Sequence, residues 1–343
     1  MKFGFLNTHG IDSCIDDIRH FLQTYDIDIF ACVETWSDMK PELEIDGYEV
    51  TLIEPLTVNG RRYRGTILYH KKDLRLTDKI TNEVNDGETT VLTKVLHYDN
   101  GEMLDIHVIY HPAQRQFSKR YLDAILTTDP DRSKLIMGDF NAYHPALNID
   151  NSQAINPAGR ALLRSIQENS LQIENPDEPT YPTSGSRIDL VLTNPLAHVL
   201  IDQCNVKDDF NSDHAGLLVT TTIPRHVTLK PKARDWKNCN TDEFKQDINT
   251  GIQRNPLTSK EDIEDAIEHW TRTILNAADK HAPLREIKFR SPTELRKLTK
   301  ILIQRRNRLR RRYRLTRQEN LKVEINQLTR RIRAAVENDK RKM

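Results

Sequence analysis

Leu135-Ile136-Met137-Gly138-Asp139-Phe140-Asn141 is the stretch whose reading decides the fold of this chain. It opens on a bounded apolar run, long enough for a buried strand and too short for a helix. Gly138 lets the backbone approach a neighbour closely. Asp139 and Asn141 follow where the apolar run stops, and an extended strand end puts both side chains on one side. The same grammar recurs outward in both directions. Phe3-Gly4-Phe5-Leu6 ends at Asn7, the run from Asp28 to Val33 ends at Glu34, and the run from Met103 closes on Tyr110. Thr66-Ile67-Leu68-Tyr69, Leu190-Val191-Leu192 and Ala215 to Thr220 complete the set, with Asp189 and Asp213-His214 read, like the others, at the C-terminal ends of strands. Helical patterns lie between them at about 15–25, 117–128 and 158–169. Strands alternating with helices predict an α/β (α+β) body of sheet packed on sheet with helices outside, and polar strand ends that gather at one edge.

After Pro224 the pattern changes. Asn240 to Glu243, Thr258 to Glu261, Ser291 to Glu294 and Thr316 to Glu319 each place a cap residue three positions before a Glu, the sign of a helix start. Leu321, Ile325, Leu328, Ile332 and Ala335 recur along one helix face. The expected division is a body over 1–224, a helical connector over 225–290 and a basic helical hairpin over 291–343, broken near Leu315.

The near-neutral net charge of +1 hides a strong asymmetry. Residues 284–343 hold 21 Lys/Arg against 6 Asp/Glu, or +15, which leaves 30 against 44, or −14, for residues 1–283. A basic tail on an acidic body points to a polyanion partner, and an acidic body suits a site that gathers a cation. The four cysteines stand far apart, which argues against a zinc site or a disulfide framework and for a reducing compartment. Neither a secretory leader nor an apolar run of spanning length is visible, so the protein is expected to be soluble, neither secreted nor in a membrane.

Hydrolysing a phosphodiester needs a hard cation held by carboxylates, a base for water and a proton donor near the developing charge. Glu34, Asp139 and His214 are of those types, with Asp189 placed to fix the histidine tautomer. Each has a plainer reading alone: Glu34 as a solvated strand end, Asp189 as the ion partner of Arg187, Ser212-Asp213-His214 as a cap and loop. Their joint occurrence at strand ends favours the chemical reading.

These motifs, together with Asn7, Glu34-Thr35, Tyr110 and Arg187-Ile188-Asp189-Leu190-Val191-Leu192, resemble the motif series of the endonuclease/exonuclease/phosphatase superfamily. More narrowly, the chain resembles the apurinic/apyrimidinic-endonuclease-like domain that opens the pol protein of LINE-type (non-LTR), jockey-like retrotransposons. Asn141 to Pro145, Asn156 to Arg160 and Pro179 to Pro182 add to this likeness, and the stretch from Trp236 to Pro283 and the basic helices from Ser291 to Lys342 resemble the connector that leads to reverse transcriptase. The resemblance implies a four-layer β-sandwich flanked by helices and a metal-dependent endonuclease that nicks DNA. It leaves a 3′-hydroxyl that primes reverse transcription. It implies Mg²⁺ or Mn²⁺ on Glu34, with Asn7 and Asp213 near the metal, Asp139 as the base, and Asn141 and Tyr110 on the phosphate or leaving group. His214 would stabilise the transition state, oriented by Asp189. His9 stands where abasic-site relatives carry an acidic residue, Ala113 where they carry Asn, and Arg64-Gly65 where paired glycines are usual. The polymerase signature is absent from the sequence.

Arg305, Arg306, Arg308, Arg310, Arg311 and Arg312 form the densest basic run. It is expected to meet nucleic-acid phosphates, DNA or RNA, or else to be a solvated helix face. A nuclear, and also cytoplasmic, location fits such a protein. Two other readings share parts of this pattern: a phosphoesterase on small phosphoesters or inositol lipids, which the basic connector disfavours, and an inactive nucleic-acid-binding relic, which the complete motif set disfavours.

Overall fold

The computed structural model describes residues 1–78, 89–98, 101–113, 131–148, 154–225, 232–252, 259–286 and 295–341. The helix expected at about 117–128 and the cap expected at Ser291 lie outside them. Its strands, in chain order, are β1 (Lys2–Asn7), β2 (Ile29–Val33), β3 (Tyr48–Ile53), β4 (Leu56–Val58), β5 (Arg61–Tyr63), β6 (Thr66–Lys71), β7 (Arg75–Asp78) and β8 (Thr90–His97). They continue with β9 (Met103–Tyr110), β10 (Ser133–Asp139), β11 (Gln172–Ile173), β12 (Asp189–Thr193), β13 (Ile201–Lys207), β14 (Gly216–Thr221), β15 (Lys232–Arg234) and β16 (Leu284–Glu286). The main helices are α1 (Ile15–Tyr25), α2 (Pro157–Glu168), α3 (Pro195–His198), α4 (Thr241–Gly251), α5 (Lys260–His281), α6 (Lys297–Thr316) and α7 (Glu319–Arg341).

Two six-stranded mixed sheets form the body, one ordered β13-β14-β1-β2-β6-β3 and the other β11-β12-β10-β9-β8-β7. Strand alternation explains how they pack. Phe3, Phe5, Ile29, Ala31 and Leu217 of the first sheet meet Ile106, Val108, Leu135, Met137 and Val191 of the second in one buried core. The residues between them point outward: Leu6, Phe30 and Cys32 take the apolar face of α1, while Ile109, Ile136 and Leu190 take Ala158, Leu162 and Ile166 of α2. Strands buried on both faces therefore read as continuous apolar runs, and each large side chain so buried stabilises the fold by roughly 1.5–3 kcal/mol. This is the helix-sheet-sheet-helix layering expected of the body.

Three corrections concern the sheets. Asp189 and His214 do not close strands: Asp189 opens β12, and His214 lies just before β14. They still reach the edge where β1, β2, β9 and β10 end, because β12 runs antiparallel to β10 and β14 antiparallel to β1. Asn141 is not on an extended strand end, since β10 stops at Asp139 and Asn141 turns at φ 44°. The stretch 202–211, which has no place in the strand set read from the sequence, is mostly the edge strand β13, whose mostly half-exposed residues hide the apolar signal.

Residues Leu229–Phe289 form one compact unit; Met1–Thr228 and Arg290–Met343 together form the other. The smaller unit is helical, with α4 capped by Asn240 and α5 opening on a capping box of Ser259 with Asp262, one residue later than expected. A short antiparallel pair, β15 with β16, interrupts its helical character. In the larger unit, α6 and α7 form a hairpin over Ile303, Ile332 and Val336. Thr316 ends α6 rather than capping α7, and its hydroxyl donates to the carbonyl of Arg312.

The hairpin packs on α1 and on the 208–212 loop through charge. Asp17, fully buried on α1, pairs with Arg306 and, at 3.3 Å, with Arg310. Asn307 Nδ2 donates to the carbonyl of Asp209 at 2.6 Å, and Arg311 Nη2 to that of Asp208 at 2.8 Å. Arg306 and Arg310 were expected on nucleic-acid phosphates; the structure buries both and commits their charge to Asp17. Burial pushes the Asp17 carboxyl up and both guanidinium groups pull it back, while burial lowers Arg310 to about 10. No helix among the described residues is long and apolar enough to cross a membrane.

Candidate active site

The sheet edge at the ends of β1, β2, β9 and β10 is where the polar strand-end residues meet. Across β10, the Cα of Asp139 lies in register with Tyr110 on one side and Asp189 on the other. Gly138 makes that alignment possible, because a Cβ there would lie 2.4 Å from the carbonyl oxygen of Ile109. Asn7, at the end of β1 in the facing sheet, ties the two sheets together: its amide Nδ2 donates to Glu34 Oε1 at 2.9 Å and to Asp139 Oδ2 at 2.8 Å. Its Oδ1 accepts from the His9 backbone at 3.1 Å. Asn7 is therefore a clasp for two carboxylates, with both ends of its amide engaged.

His214 Nδ1 is 2.8 Å from Asp189 Oδ2, and both side chains are buried. Thr180 Oγ1 accepts the backbone N–H groups of Ile188 and Asp189, at 3.1 and 3.0 Å, which holds the start of β12. Ser212 Oγ donates to the carbonyl of Asn7 at 2.7 Å and accepts from His214 N at 3.1 Å, which holds the start of β14. Arg187 does not pair with Asp189. It donates to the carbonyl of Leu147 and to Asp177, which disposes of the plain ion-pair reading of Asp189.

Asn141 N donates to Asp139 Oδ1 at 3.0 Å, and Asn141 Nδ2 to the carbonyl of His111 at 2.9 Å. The turn is held from below by Asn156, which caps α2: its Oδ1 accepts from Gly159 N and Tyr143 N, and its Nδ2 donates to the carbonyl of Asn141 at 2.7 Å. Gly159 must be glycine, since a Cβ would lie 2.1 Å from the Tyr143 oxygen. His9, Glu34, Trp36, Arg64 and Asn141 all have positive φ. Non-glycine residues in that region cost about 1–3 kcal/mol each and cluster where a site constrains the backbone. Arg64 and Gly65 accept from the backbone of Trp36 and Thr35, so they shape the turn that presents Glu34.

Asp213 sits at the rim, 3.1 Å from His9 Nδ1. His9 in turn meets Trp36 edge-on at 4.5 Å. The ring of Tyr181 lies 4.9 Å from that of His214, and its hydroxyl bonds Asp213. Tyr181, Thr180, Asn156 and Ser212 are the site residues whose roles the sequence reading missed, although each belongs to a stretch it had quoted. Only the tertiary neighbours reveal what their polar atoms do.

Electrostatically the edge is short of positive charge. Burial, then the carboxylates of Asp189 and Glu34, push Asp139 up to about 8, against His214 and the Asn7 amide. Burial would lower His214, but Asp189 outweighs it and raises the imidazole to about 10. Burial and the carboxylates of Glu34 and Asp139 raise the Tyr110 hydroxyl. Asp139, Asp189 and His214 offer ligand atoms within 4.8 Å of one another. Because His214 Nδ1 is taken by Asp189, the uncompensated charge falls on Asp139 and Glu34, which share a neutral amide. Two carboxylates on one neutral donor are the chemistry of a hard-cation site, so the residues fit a divalent metal.

Comparison with known proteins bears on the fold that carries these residues. Residues 104–218 match the family model described as endonuclease-reverse transcriptase. The endonuclease domain of TRAS1, a telomere-specific non-LTR retrotransposon, superposes with a TM-score of 0.52 at 18% identity, covering 65% of this chain and 99% of that one. An AP endonuclease from Archaeoglobus fulgidus gives 0.47 at 15% identity over 65% of this chain and 100% of its own. AP endonuclease LMAP from Leishmania major gives 0.48 at 15% over 65% and 88%. No curated protein matches. The body of this chain has the endonuclease/exonuclease/phosphatase fold.

Proposed function

Starting from a body with the endonuclease/exonuclease/phosphatase fold, we propose that this chain is a divalent-metal-dependent DNA endonuclease of a non-LTR retrotransposon, acting in the nucleus on a single strand to leave a 3′-hydroxyl for reverse transcription. The observation that carries the reading is the convergence of Asp139 with the buried Asp189–His214 pair on one side and with Glu34 on the other. In this reading Asp139 takes a proton from the attacking water, and water oxygen bonds to phosphorus as the P–O3′ bond breaks, the departing 3′-oxygen keeping the electron pair and taking a proton from solvent. His214, held as an imidazolium by Asp189, donates to the non-bridging phosphate oxygens as they gain charge. Asn141 and Tyr110 position the phosphate. Glu34, with Asp139 close by, would hold Mg²⁺ or Mn²⁺, which supplies charge neutralisation at the phosphate. Asn7 keeps these carboxylates in place. Such a cation would offset the burial and the neighbouring carboxylates that keep Asp139 protonated near neutral pH.

The test is conversion of supercoiled plasmid to open circle by the full chain, with and without Mg²⁺. The nick is then offered to a DNA polymerase. Extension from the nick supports a 3′-hydroxyl product, and a nick that no polymerase extends overturns that part. A folded wild-type protein that turns over a soluble phosphoester but never nicks DNA overturns the nuclease reading.

A further inference from the structure

The hairpin does more than cover α1. Its turn, between Thr316 and Glu319, lies beside the segment before β14 that carries Asp213 and His214. Arg314 reaches from α6 to the carbonyl of Ser212 and to Asp208. A cleft of about 320 Å³ opens there, walled by Thr183, Asn211 and Asp213 on one side and by Arg314, Arg317 and Lys322 on the other. Asp213, its one carboxylate, is engaged by His9 and Tyr181.

Arg317 is the residue that points to a ligand. It ends α6 in the left-handed conformation at φ 52°, a position that favours glycine or asparagine. It is exposed, and its side chain forms no ion pair among the described residues. Lys322 is exposed too, and its contact with Glu319 is a loose 3.7 Å. The buried arginines of the same hairpin are spent on Asp17, whereas these cations face open space next to the site.

We propose that this cleft is a phosphate-binding subsite formed jointly by the hairpin and the body, which holds the backbone of the nucleic-acid strand next to the phosphate presented to Asp139 and His214. It rests on the nuclease reading only for the identity of the central phosphate. Arg317 and Lys322 make the contacts, and Arg314 anchors the turn that presents them. The hairpin is then part of the substrate surface through its turn, and not through Arg306 and Arg310, which are buried on Asp17.

Binding of the full chain to a fluorescent DNA duplex is measured without divalent metal across a salt series, for wild type, R317Q/K322Q and R331Q/R333Q. Arg331 and Arg333 are exposed cations on α7, about 14 Å along the helix from Lys322 at 1.5 Å per residue. The expected result is a salt slope shallower by about 1 to 2 in R317Q/K322Q, with affinity about tenfold or more weaker, as loss of one or two phosphate contacts requires. R331Q/R333Q should stay near wild type. An unchanged slope in R317Q/K322Q, or an equal loss in R331Q/R333Q, overturns the cleft. Thermal melts establish that both variants fold. Failure to nick overturns the nuclease reading instead, because the slope is read without catalysis.

Discussion

Asp139 and Asp17 are both buried carboxylates raised by desolvation, one at the end of β10 and one on α1, and they are compensated in opposite ways. Asp17 meets two guanidinium groups, from Arg306 and Arg310. Asp139 meets an amide, an imidazolium from the facing sheet within 4.8 Å, and two further carboxylates. The first arrangement is closed, with its charges paired inside the protein. The second leaves negative charge unsatisfied at a sheet edge where five backbone residues with positive φ converge. A protein retains such an arrangement where something from solution completes it, which is the physical difference between a seam and a site.

The largest expected effect separates the two regions by function. D139A and H214A each lower plasmid nicking by roughly 10³-fold or more while leaving the fold intact, since general acid–base groups contribute on that scale. D17A should leave the chemistry per folded molecule unchanged. Measured nicking rates, normalised to the folded fraction by circular dichroism, decide this; residual nicking by D139A near wild type would break the contrast.

Stability should show the reverse order. D17A strands two buried guanidinium groups and costs about 3–5 kcal/mol, a fall in Tm on the order of 10 °C for a unit of this size. Replacing the whole triad, as D17L/R306M/R310M, should recover most of that loss, because a buried ion set exchanges for apolar packing at little cost. If the triple variant melts as low as D17A, the seam depends on its charges in a way the paired geometry does not explain.

Metal and pH sharpen the comparison at the site. Asp139 stands at about 8 in the folded protein against 3.8 unfolded, so its folded pKa is raised. Its contribution to stability is then fully present below the unfolded pKa and is lost as pH rises through about 8. Metal-free protein should therefore melt lower at pH 8.5 than at about pH 6. Saturating Mg²⁺ should raise Tm more at the higher pH, because cation and proton compete for the same carboxylates. Equal Mg²⁺ shifts at both values in a melting titration would rule out that competition.

The smallest effect is expected at the support of the turn. N156A removes the cap of α2 and the donor to the Asn141 carbonyl, for about 1 kcal/mol of stability. A drop in nicking larger than the folded fraction accounts for would show that the cap also positions the catalytic turn.

Residue types and strand ends were legible without a structure. Asn7, Glu34, Tyr110, Asp139, Asp189 and His214 lie beside apolar runs, and the run marks the strand that delivers each of them to one edge. The direction of delivery was not legible, because the start of an antiparallel strand and the end of a parallel one reach the same edge. Asp189 and His214 arrive by the first route. The polar supports Thr180, Asn156 and Ser212 lacked any period to betray them, since their partners lie in other segments.

The amino-acid sequence by itself determined the layered body, the helical character that follows it, and the set of acidic, amide and imidazole groups that a phosphodiester needs. Those follow from local patterns of hydrophobicity and from which side chains are present. Only the tertiary structure decided which charges are spent and which remain available. It turned Arg306 and Arg310 from a nucleic-acid surface into an internal pair for Asp17, and made Asn7 a clasp between carboxylates. Charge compensation depends on distance and burial across the chain, and neither is encoded in the neighbourhood of a single residue.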